Sequence, residues 1–433
     1  MVQKMRKMKD SGIEWIGEIP EGWEIVPVRS CFDEVRTKNT DGQEQNALQF
    51  KSGNIISKAN FNANIDDYVA DTITNYTVVL PDTVMINGLN LNYDFKSLRV
   101  ALVKEKGVIT PAYLAIFPDR KKIFPQYATY LFKGYETKMA FHNMGAGIRK
   151  TLGYKEFKNQ PLLLPSKEEQ NKISAYLDSK CSHIDIMLSK IRSSIEEYKK
   201  LKQAVITQAV TKGVRGEREM RDSGVEWIGK IPKEWVIQKI KSISSRINVG
   251  VVIRPSEYFD ENGTVPFLRG INVKEYLISS DNMVYINESS NHILSKSQVH
   301  TDDILIVRDG SIGTSCVVPA EYDGANVVSM VIVTPSTSCD SRFICYSLNS
   351  DVGKTQFTLT KIGSALTHTS VSAVSDIIVA VPSCAEQKEI ADYLDAKCAE
   401  IDGLIAKKEQ LVKELESYKK SLIYEVVTGK REV

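Results

Sequence analysis

Two stretches of this chain place apolar residues at helical spacing, and each stretch follows a proline. The apolar positions of the first are Ile173, Leu177, Ile184, Leu188, Ile191, Ile195 and Tyr198. Those of the second are Ile390, Leu394, Ile401, Leu404, Leu411, Leu415, Tyr418 and Leu422. Steps of three and four residues indicate a heptad seam, and Lys and Glu fill the other faces. The pattern predicts helices over residues 168–210 and 385–427. We expect them to pair as a long antiparallel coiled coil; packing of each helix on its own domain is the alternative.

The regions before these helices have a different pattern. Residues 24–160 contain the short runs YTVVL, TVMI and RVALV, and residues 236–378 contain DDILIV, SCVVP and NVVSMVIV. Such β-branched runs, separated by glycine and asparagine, are typical of strands. The chain is therefore predicted to be α+β, with two mixed α/β domains of substantial sheet.

The two halves of the chain repeat each other. Residues 8–23 and 220–235, here called the lead segments, are identical at 11 of 16 positions, and residues 165–185 and 382–402 at 12 of 21. Each lead segment is predicted to be rich in turns rather than a long helix. A duplicated frame around two unlike inserts indicates a pseudo-twofold internal repeat that makes two different contacts.

We therefore expect four parts along the chain. They are a lead segment and first domain (residues 1–163), a central helix and linker (164–219), a lead segment and second domain (220–380), and a C-terminal helix (381–433).

Composition narrows the class of protein. The 433 residues are 42% hydrophobic and 25% charged, with a net charge of +2, which is ordinary for a globular protein. The N-terminal residues do not resemble a signal peptide, and the seven cysteines include no C-x-x-C pair. We expect a cytoplasmic, reduced protein. Cys181 and Cys398 hold matching repeat positions and are expected to be core residues rather than metal ligands.

Motifs for catalysis fail on inspection. Residues 224–231 approach a phosphate-binding loop, but a tryptophan stands where the phosphate must sit, and Ile231 replaces the Ser/Thr that would hold Mg²⁺. Asp82, Asp94 and Lys96 match the loose spacing of a metal-dependent nuclease, which stays open as an alternative. We predict no catalytic residue and no metal site.

The repeated motifs resemble those of a known family, the specificity (S) subunits of type I restriction–modification systems. The resemblance lies in the duplicated D-S-G-[IV]-E-W-I-G-x-I-P-x-x-W lead segments and the duplicated P-S-x-x-E-Q-x-x-I-x-x-Y-L-D-x-K helix starts. It implies two target-recognition domains, each reading half of a bipartite, asymmetric site in double-stranded DNA. It also implies a coiled-coil spacer and docking of two methyltransferase (M) subunits by the helices and lead segments. The M subunits would bring S-adenosylmethionine, and restriction (R) subunits would bring ATP and Mg²⁺. The chain itself would bind no cofactor.

Candidate DNA contacts follow from residue type, because amide, hydroxyl and basic side chains read base edges and phosphates. Ordinary surface turns are the alternative for any one loop, and a protein adaptor that does not bind DNA is the alternative for the whole chain. The candidates in the first domain are Lys51, Asn54, Asn87, Asn90, Asn92, Arg149 and Lys150. Those in the second are Arg269, Asn272, Arg308, Ser311, Thr314, Ser364 and His368.

Overall fold

The computed structural model describes residues 6–58, 73–95, 98–145, 147, 150–362 and 368–433. The chain forms two compact units. The first unit contains residues 1–192 and 410–433, and the second contains residues 193–409. The boundaries predicted from the sequence separate the domains from the helices. In the structure, each compact unit includes part of both long helices.

The first unit is built on a four-stranded antiparallel sheet with the strand order β4-β11-β8-β9. Its centre is the wholly buried β8, which explains the apolar run TVMI. The strands are β1 (Met8–Asp10), β2 (Glu18–Pro20), β3 (Glu24–Pro27), β4 (Phe32–Glu34), β5 (Leu48–Lys51), β6 (Asn54–Ser57), β7 (Thr77–Val79), β8 (Val84–Ile86), β9 (Val100–Leu102), β10 (Gly107–Ile109), β11 (Leu114–Pro118) and β12 (Pro161–Leu164). The short helices are α1 (Pro125–Thr137), α2 (Ala140–Met144) and α3 (Tyr154–Phe157).

The second unit repeats this topology. Its four-stranded sheet has the order β16-β24-β21-β22, and β21 is again buried along its whole length. The strands are β13 (Met220–Asp222), β14 (Lys230–Pro232), β15 (Val236–Lys239), β16 (Ser244–Val249), β17 (Val265–Leu268), β18 (Val273–Lys274), β19 (Leu277–Ile278), β20 (Val284–Ile286), β21 (Ile304–Val307), β22 (Ser315–Val317), β23 (Asn326–Val327), β24 (Met330–Pro335) and β25 (Ile378–Val381). The short helices are α5 (Glu288–Ile293), α6 (Ser341–Asn349), α7 (Asp351–Ile362) and α8 (Val371–Ser375).

The lead segments form matching hairpins. In the first unit β1 pairs with β2, and in the second β13 pairs with β14 in the same register. The next strand of each unit pairs with its last strand, β3 with β12 and β15 with β25. The prediction of turn-rich leads is confirmed. Each unit is thereby closed by pairing between the strand that follows its lead segment and the strand that precedes its long helix.

The two long helices are confirmed close to their predicted ends. Helix α4 covers Lys167–Lys212 and helix α9 covers Cys384–Val427. Each is followed by a glycine with a left-handed backbone, Gly213 at φ +77° and Gly429 at φ +71°. Glycine adopts this conformation without a steric penalty, so it ends a helix well. Within the described residues, no helix is both long and apolar enough to cross a membrane.

Segments of both helices pack antiparallel within each unit. In the first unit Asp185 pairs with Lys419 at 2.6 Å, and Arg192 pairs with Glu416. As the residue number rises on one helix it falls on the other. In the second unit Lys202 pairs with Asp402 at 2.6 Å, and Lys408 lies 5.5 Å from the ring centroid of Tyr198. These polar contacts are partly exposed, so burial of the apolar stripes contributes most of the stability.

The apolar stripe differs in part from the predicted seam. Ile184, Leu188, Ile195 and Ile401 are each at most 6% exposed, as expected for a seam. In contrast, Leu411 is 42% exposed and Tyr418 is 49% exposed, while Val412 and Leu415 pack into the core of the first unit. The interface between the helices buries about one residue per turn. The apolar periodicity placed Leu411 and Tyr418 in the seam, but both side chains face solvent.

A buried glutamine fixes the first turn of α4. Gln170 is fully buried, and its Oε1 accepts a hydrogen bond from the Phe124 N–H at 2.9 Å. Its Nε2 donates to the carbonyl oxygens of Pro165 at 2.9 Å and Lys122 at 3.1 Å. The amide therefore joins the helix to the segment that begins α1, which explains the repeated E-Q of the sequence motif.

The second unit uses the same device. The Oε1 of Gln387 accepts from the Asp340 N–H at 2.9 Å, and its Nε2 donates to the Pro382 carbonyl oxygen at 3.0 Å. Asp340 is also the N-cap of α6, so Gln387 positions that helix against α9.

An aromatic, acidic and basic cluster packs beside each glutamine. In the first unit Trp23 Nε1 donates to Glu169 Oε2 at 2.9 Å. Arg6 lies 5.5 Å from the Trp23 ring centroid and 2.5 Å from Glu169 Oε1. The corresponding residues of the second unit are Trp235, Arg218 and Glu386, with the arginine 5.3 Å from the ring centroid and 2.7 Å from the carboxylate. The lead segments therefore pack on the starts of the long helices.

Replacing Gln387 with Ala should destabilise the second unit, because the Asp340 N–H and the Pro382 carbonyl would lose their buried partner. A buried polar group left without a hydrogen bond costs about 1–3 kcal/mol. We expect a lower midpoint in thermal unfolding and faster hydrogen exchange at the Asp340 amide. Lys388→Ala, at the exposed neighbouring position, is the control. Equal midpoints and exchange rates for the two variants would contradict this role.

Candidate nucleic-acid interface

Three predicted loops of the first unit meet at one end of its sheet. The Leu152 N–H donates to the Gly88 carbonyl oxygen at 2.9 Å, and the Leu91 N–H donates to that of Lys150 at 3.2 Å. The β5–β6 turn joins them, since a Cβ placed on Gly53 would lie only 2.9 Å from Leu98 Cβ. Loops that are far apart in the sequence therefore form one surface beyond the carboxyl end of β8.

A buried arginine organises this surface. Arg99 is 1% exposed, and its Nη1 donates to the carbonyl oxygens of Asn87 at 2.9 Å and Leu89 at 2.8 Å. Its Nη2 donates to the Asp94 carbonyl oxygen at 2.5 Å and lies 3.5 Å from the Asp94 carboxylate. One guanidinium thus holds residues 87–94, here called the β8–β9 loop. It was not among the predicted site residues.

The candidate residues of the first unit differ in exposure. Lys51, Asn54, Asn90 and Lys150 are exposed. Asn87 is half-buried, and its Oδ1 accepts a hydrogen bond from the Leu89 N–H at 3.1 Å.

Two further candidates complete this set. Asn92 is half-buried and makes an interaction of its own. Arg149 lies outside the described residues.

Three predicted loops also meet in the second unit, at the carboxyl end of β21. The Arg308 Nε donates to the Thr369 carbonyl oxygen at 2.9 Å, and the Thr369 N–H donates back to the Arg308 carbonyl at 3.2 Å. Gly270 lies against Val307, whose Cγ1 would be 3.4 Å from a Cβ on that glycine. His368, next to Thr369, is half-buried. Ser364 lies outside the described residues.

The side chains of this second surface have distinct roles. Ser311 is exposed and Thr314 is half-buried. Arg269 is half-buried, and its Nη2 donates to the Asn282 carbonyl oxygen. These three residues lie on the loops that meet at β21.

Asn272 is an exception among the predicted contacts. It is fully buried, its Oδ1 accepts from the Arg269 N–H at 3.1 Å, and its Nδ2 donates to the carbonyl oxygens of Ser279 and Asp281 at 3.1 and 2.9 Å. In this structure Asn272 stabilises its own loop and presents no atom to a base edge.

Exposed apolar side chains next to both surfaces were not predicted. In the first unit Tyr93 is 74% exposed and Phe95 is 57% exposed. In the second unit Ile253 is 75% exposed, beside the exposed Arg254.

Arg99 also had a sequence signal, since it is the single charged residue that opens the buried run RVALV. Its hydrogen-bond partners could not be read from that signal.

The arrangement of carboxylates does not favour the nuclease alternative. Asp82 precedes β8 and pairs with Arg120 at 2.5 Å, while Asp94 follows β8 and lies beside Arg99. The two carboxylates are therefore beyond opposite ends of one strand. Lys96 lies outside the described residues. In the ranges that the structure describes, no group of three or more His, Cys, Asp or Glu side chains could hold a metal ion.

Glu136 connects the first surface to helix α1. Its Oε1 accepts a hydrogen bond from the Arg99 backbone N–H at 2.6 Å. Burial raises the pKa of Glu136 to about 7, and Arg99, Lys133 and Lys420 oppose that rise in part. The carboxyl group is therefore protonated in a substantial fraction of molecules at neutral pH.

Replacing Glu136 with Gln should flatten the pH dependence of stability of the first unit. The pKa in the fold exceeds the ordinary value of 4.5, so the fold binds this proton more tightly than the unfolded chain does. The stabilisation is complete below pH 4.5 and is lost as the pH rises through 7. It amounts to at most about 3 kcal/mol. The measurement is thermal unfolding from pH 5 to 8, with the exposed Glu105→Gln as control. Parallel pH profiles for the wild type and Glu136→Gln would exclude this contribution.

The chain is similar to proteins of one kind. The type I restriction modification DNA specificity domain matches residues 232–414. The type I restriction enzyme MjaVIII specificity subunit of Methanocaldococcus jannaschii is 24% identical over 421 residues, covering 95% of this chain and 93% of its own. The MjaX sequence of the same organism is also 24% identical, over 431 residues, covering 96% and 95%. The Escherichia coli EcoKI specificity subunit is 22% identical over 208 residues, covering 47% and 44%.

Solved structures share the fold. A chain from work on complex assembly and conformational transition of the type I R-M system has a TM-score of 0.70 at 14% identity, with 95% of this chain and 99% of that chain covered. The HsdS subunit from Thermoanaerobacter tengcongensis has a TM-score of 0.51 at 15% identity, with 98% and 100% covered. The duplicated motifs, the repeated unit topology and these similarities agree: the chain is similar to the specificity subunits of type I restriction–modification systems.

Proposed function

We propose that this chain is the DNA-recognition subunit of a type I restriction–modification complex, and that each unit reads one half of a bipartite, asymmetric DNA site. The observation that carries the proposal is the contrast between the sheet, which is the same in both units, and the loops, which differ. Both units have the same sheet order, whereas the loops beyond β8 and β21 differ in length and in residues. Two different reading surfaces on equivalent scaffolds suit a target whose halves differ in sequence.

The exposed side chains of these surfaces support a nucleic-acid ligand. Lys51 and Lys150 supply positive charge for phosphates, and Asn90 and Ser311 can pair with base edges. Individual base contacts remain part of the proposal.

We infer further that α4 and α9 form one antiparallel coiled coil that sets the distance between the half-sites. The antiparallel packing of their segments within each unit supports this inference. At 1.5 Å per residue, the 46 residues of α4 and the 44 residues of α9 each extend over roughly 65–70 Å.

The same proposal assigns chemistry to the partners of the chain. The relatives are named specificity subunits, and no motif in this sequence supports catalysis. Two M subunits, docked on the helices and lead segments, would supply S-adenosylmethionine, and R subunits would supply ATP and Mg²⁺. The complex would act in the cytoplasm, where DNA is accessible. No observation favours the adaptor or the nuclease alternative.

Purified alone, the chain should neither methylate nor cut DNA, whereas with its M partner it should methylate one bipartite sequence. Replacing residues 24–160 with the equivalent region of a relative should change one half of that sequence and leave the other intact. Contacts to separated DNA segments contribute nearly independently, which is the physical reason. The measurement is mapping of methylated bases in genomic DNA from cells that express both subunits.

Two results would contradict this proposal. One is metal-dependent cleavage by the chain alone, which would favour a nuclease. The other is a swap of residues 24–160 that alters both halves of the site.

Inserting one heptad into each long helix at matched positions should lengthen the unspecified spacer without changing either half-site. A heptad preserves the seam and adds ~10 Å. Along B-DNA at ~3.4 Å per base pair, this is about three base pairs. The control is a heptad in one helix only, which should break the pairing and abolish methylation. An active matched variant with an unchanged spacer would show that the helices do not set the distance.

A further inference from the structure

We propose that Tyr93, held in position by Arg99, makes an aromatic contact with DNA in the half-site read by the first unit. This inference rests on the proposed function and deepens it, because it names a specificity-determining contact and the residue that positions it. Tyr93 was not among the contacts predicted from sequence.

The β8–β9 loop is rigidly held where Tyr93 leaves it. The N–H groups of Tyr93 and Asp94 both donate to the Asn90 carbonyl oxygen at 3.1 Å, which closes a tight turn. Arg99 binds this loop on both sides of Tyr93, at the carbonyl oxygens of Leu89 and Asp94. The backbone on either side of the ring is therefore fixed before any ligand arrives, so binding costs little conformational entropy.

Burial of Arg99 is unusual enough to require a reason. Desolvation of a guanidinium is costly unless its hydrogen bonds are satisfied, and here three loop carbonyls and one carboxylate satisfy most of them. An apolar residue could fill this space without the desolvation cost. The arginine instead holds the loop in one defined conformation through its hydrogen bonds.

The neighbouring Phe95 shows the contrast with Tyr93. Phe95 stacks on His142 with ring centroids 5.0 Å apart and an interplanar angle of 12°. That ring already has an aromatic partner inside the unit. Tyr93 projects 74% of its surface into solvent from the same loop, which leaves its ring faces open to a base or a sugar.

The surroundings of Tyr93 favour DNA over a protein partner. Exposed Asn90 lies in the same turn, and exposed Lys150 lies beside it through the backbone contact with Leu91. A protein-binding patch is depleted in lysine at its centre, whereas amide and cationic side chains are the groups that bind the base edges and phosphates of a duplex.

The test uses the complex of the full chain with its M partner and a DNA duplex that carries the mapped methylation site. Tyr93→Ala should weaken binding by about ten- to a hundredfold, as expected for loss of an aromatic ring buried against a sugar or a thymine methyl of the duplex. Tyr93→Phe keeps the ring and should bind like the wild type. The matched control is Leu80→Ala, because Leu80 is 47% exposed in the same unit but precedes β8 at the other end of the sheet.

Arg99→Lys tests the positioning role. Lysine keeps the charge but cannot reach three carbonyl oxygens with a planar fork. This variant should lose discrimination against base changes in the first half-site and retain it in the second. Thermal unfolding identifies a variant that has lost its fold, and in that case the Tyr93→Ala and Tyr93→Phe pair decides the proposal.

The outcomes separate this inference from the proposed function. Wild-type affinity for Tyr93→Ala, or equal losses for Tyr93→Ala and Leu80→Ala, would overturn the inference while leaving the function intact. A wild-type complex without any sequence-specific methylation would overturn the proposed function itself.

Discussion

The structure depends on the attachment of each long helix to its unit at the first helical turn. Gln170 and Gln387 are buried there. Each accepts a hydrogen bond from an N–H at the start of a different helix and donates one to the carbonyl oxygen of the proline that precedes its own helix. A buried amide satisfied in this way specifies one geometry, because any displacement would leave polar groups without partners. The direction of the helix relative to its own sheet is thus fixed by hydrogen bonds, and apolar packing contributes most of the free energy.

The C-terminal end of α9 belongs to the core of the first unit. Its buried residues Leu422, Val426 and Val427 pack in the same cluster as Trp23, and the Tyr424 hydroxyl donates to the Trp15 carbonyl oxygen at 2.7 Å. The end of α4 occupies the corresponding place in the second unit, where it packs with the second lead segment. The first unit is therefore completed by the two ends of the chain, while the second is assembled from one continuous segment. This explains why a repeat with an offset of about 215 residues yields compact units that do not coincide with its sequence boundaries.

A fixed frame allows the loops of the proposed DNA-binding surfaces to vary. The residues shared by the two repeats lie in the lead segments and helix starts, where they fill cores or satisfy buried polar groups. The residues that differ lie beyond β8 and β21, where substitutions change a surface without disturbing a core. Arg99 shows how one unit shapes its loop from within, through hydrogen bonds to the carbonyl oxygens of the β8–β9 loop. Under the proposed function, binding specificity can change while the frame persists, as expected for a scaffold with separate recognition elements.

The sequence by itself determined the elements. Runs such as TVMI and DDILIV predicted the buried strands β8 and β21, and heptad spacing predicted α4 and α9 to within two residues at each end, because these patterns reflect local periodicity. The internal repeat also identified the lead segments and helix starts that the two units share. Only the tertiary structure decided how the loops converge, since Lys150 and Leu91 are 59 residues apart and meet through a backbone hydrogen bond. It placed Asn272 in the interior, and it turned Leu411 and Tyr418 away from the seam. Burial of a particular side chain depends on which partners reach it, and a single sequence does not contain those distances.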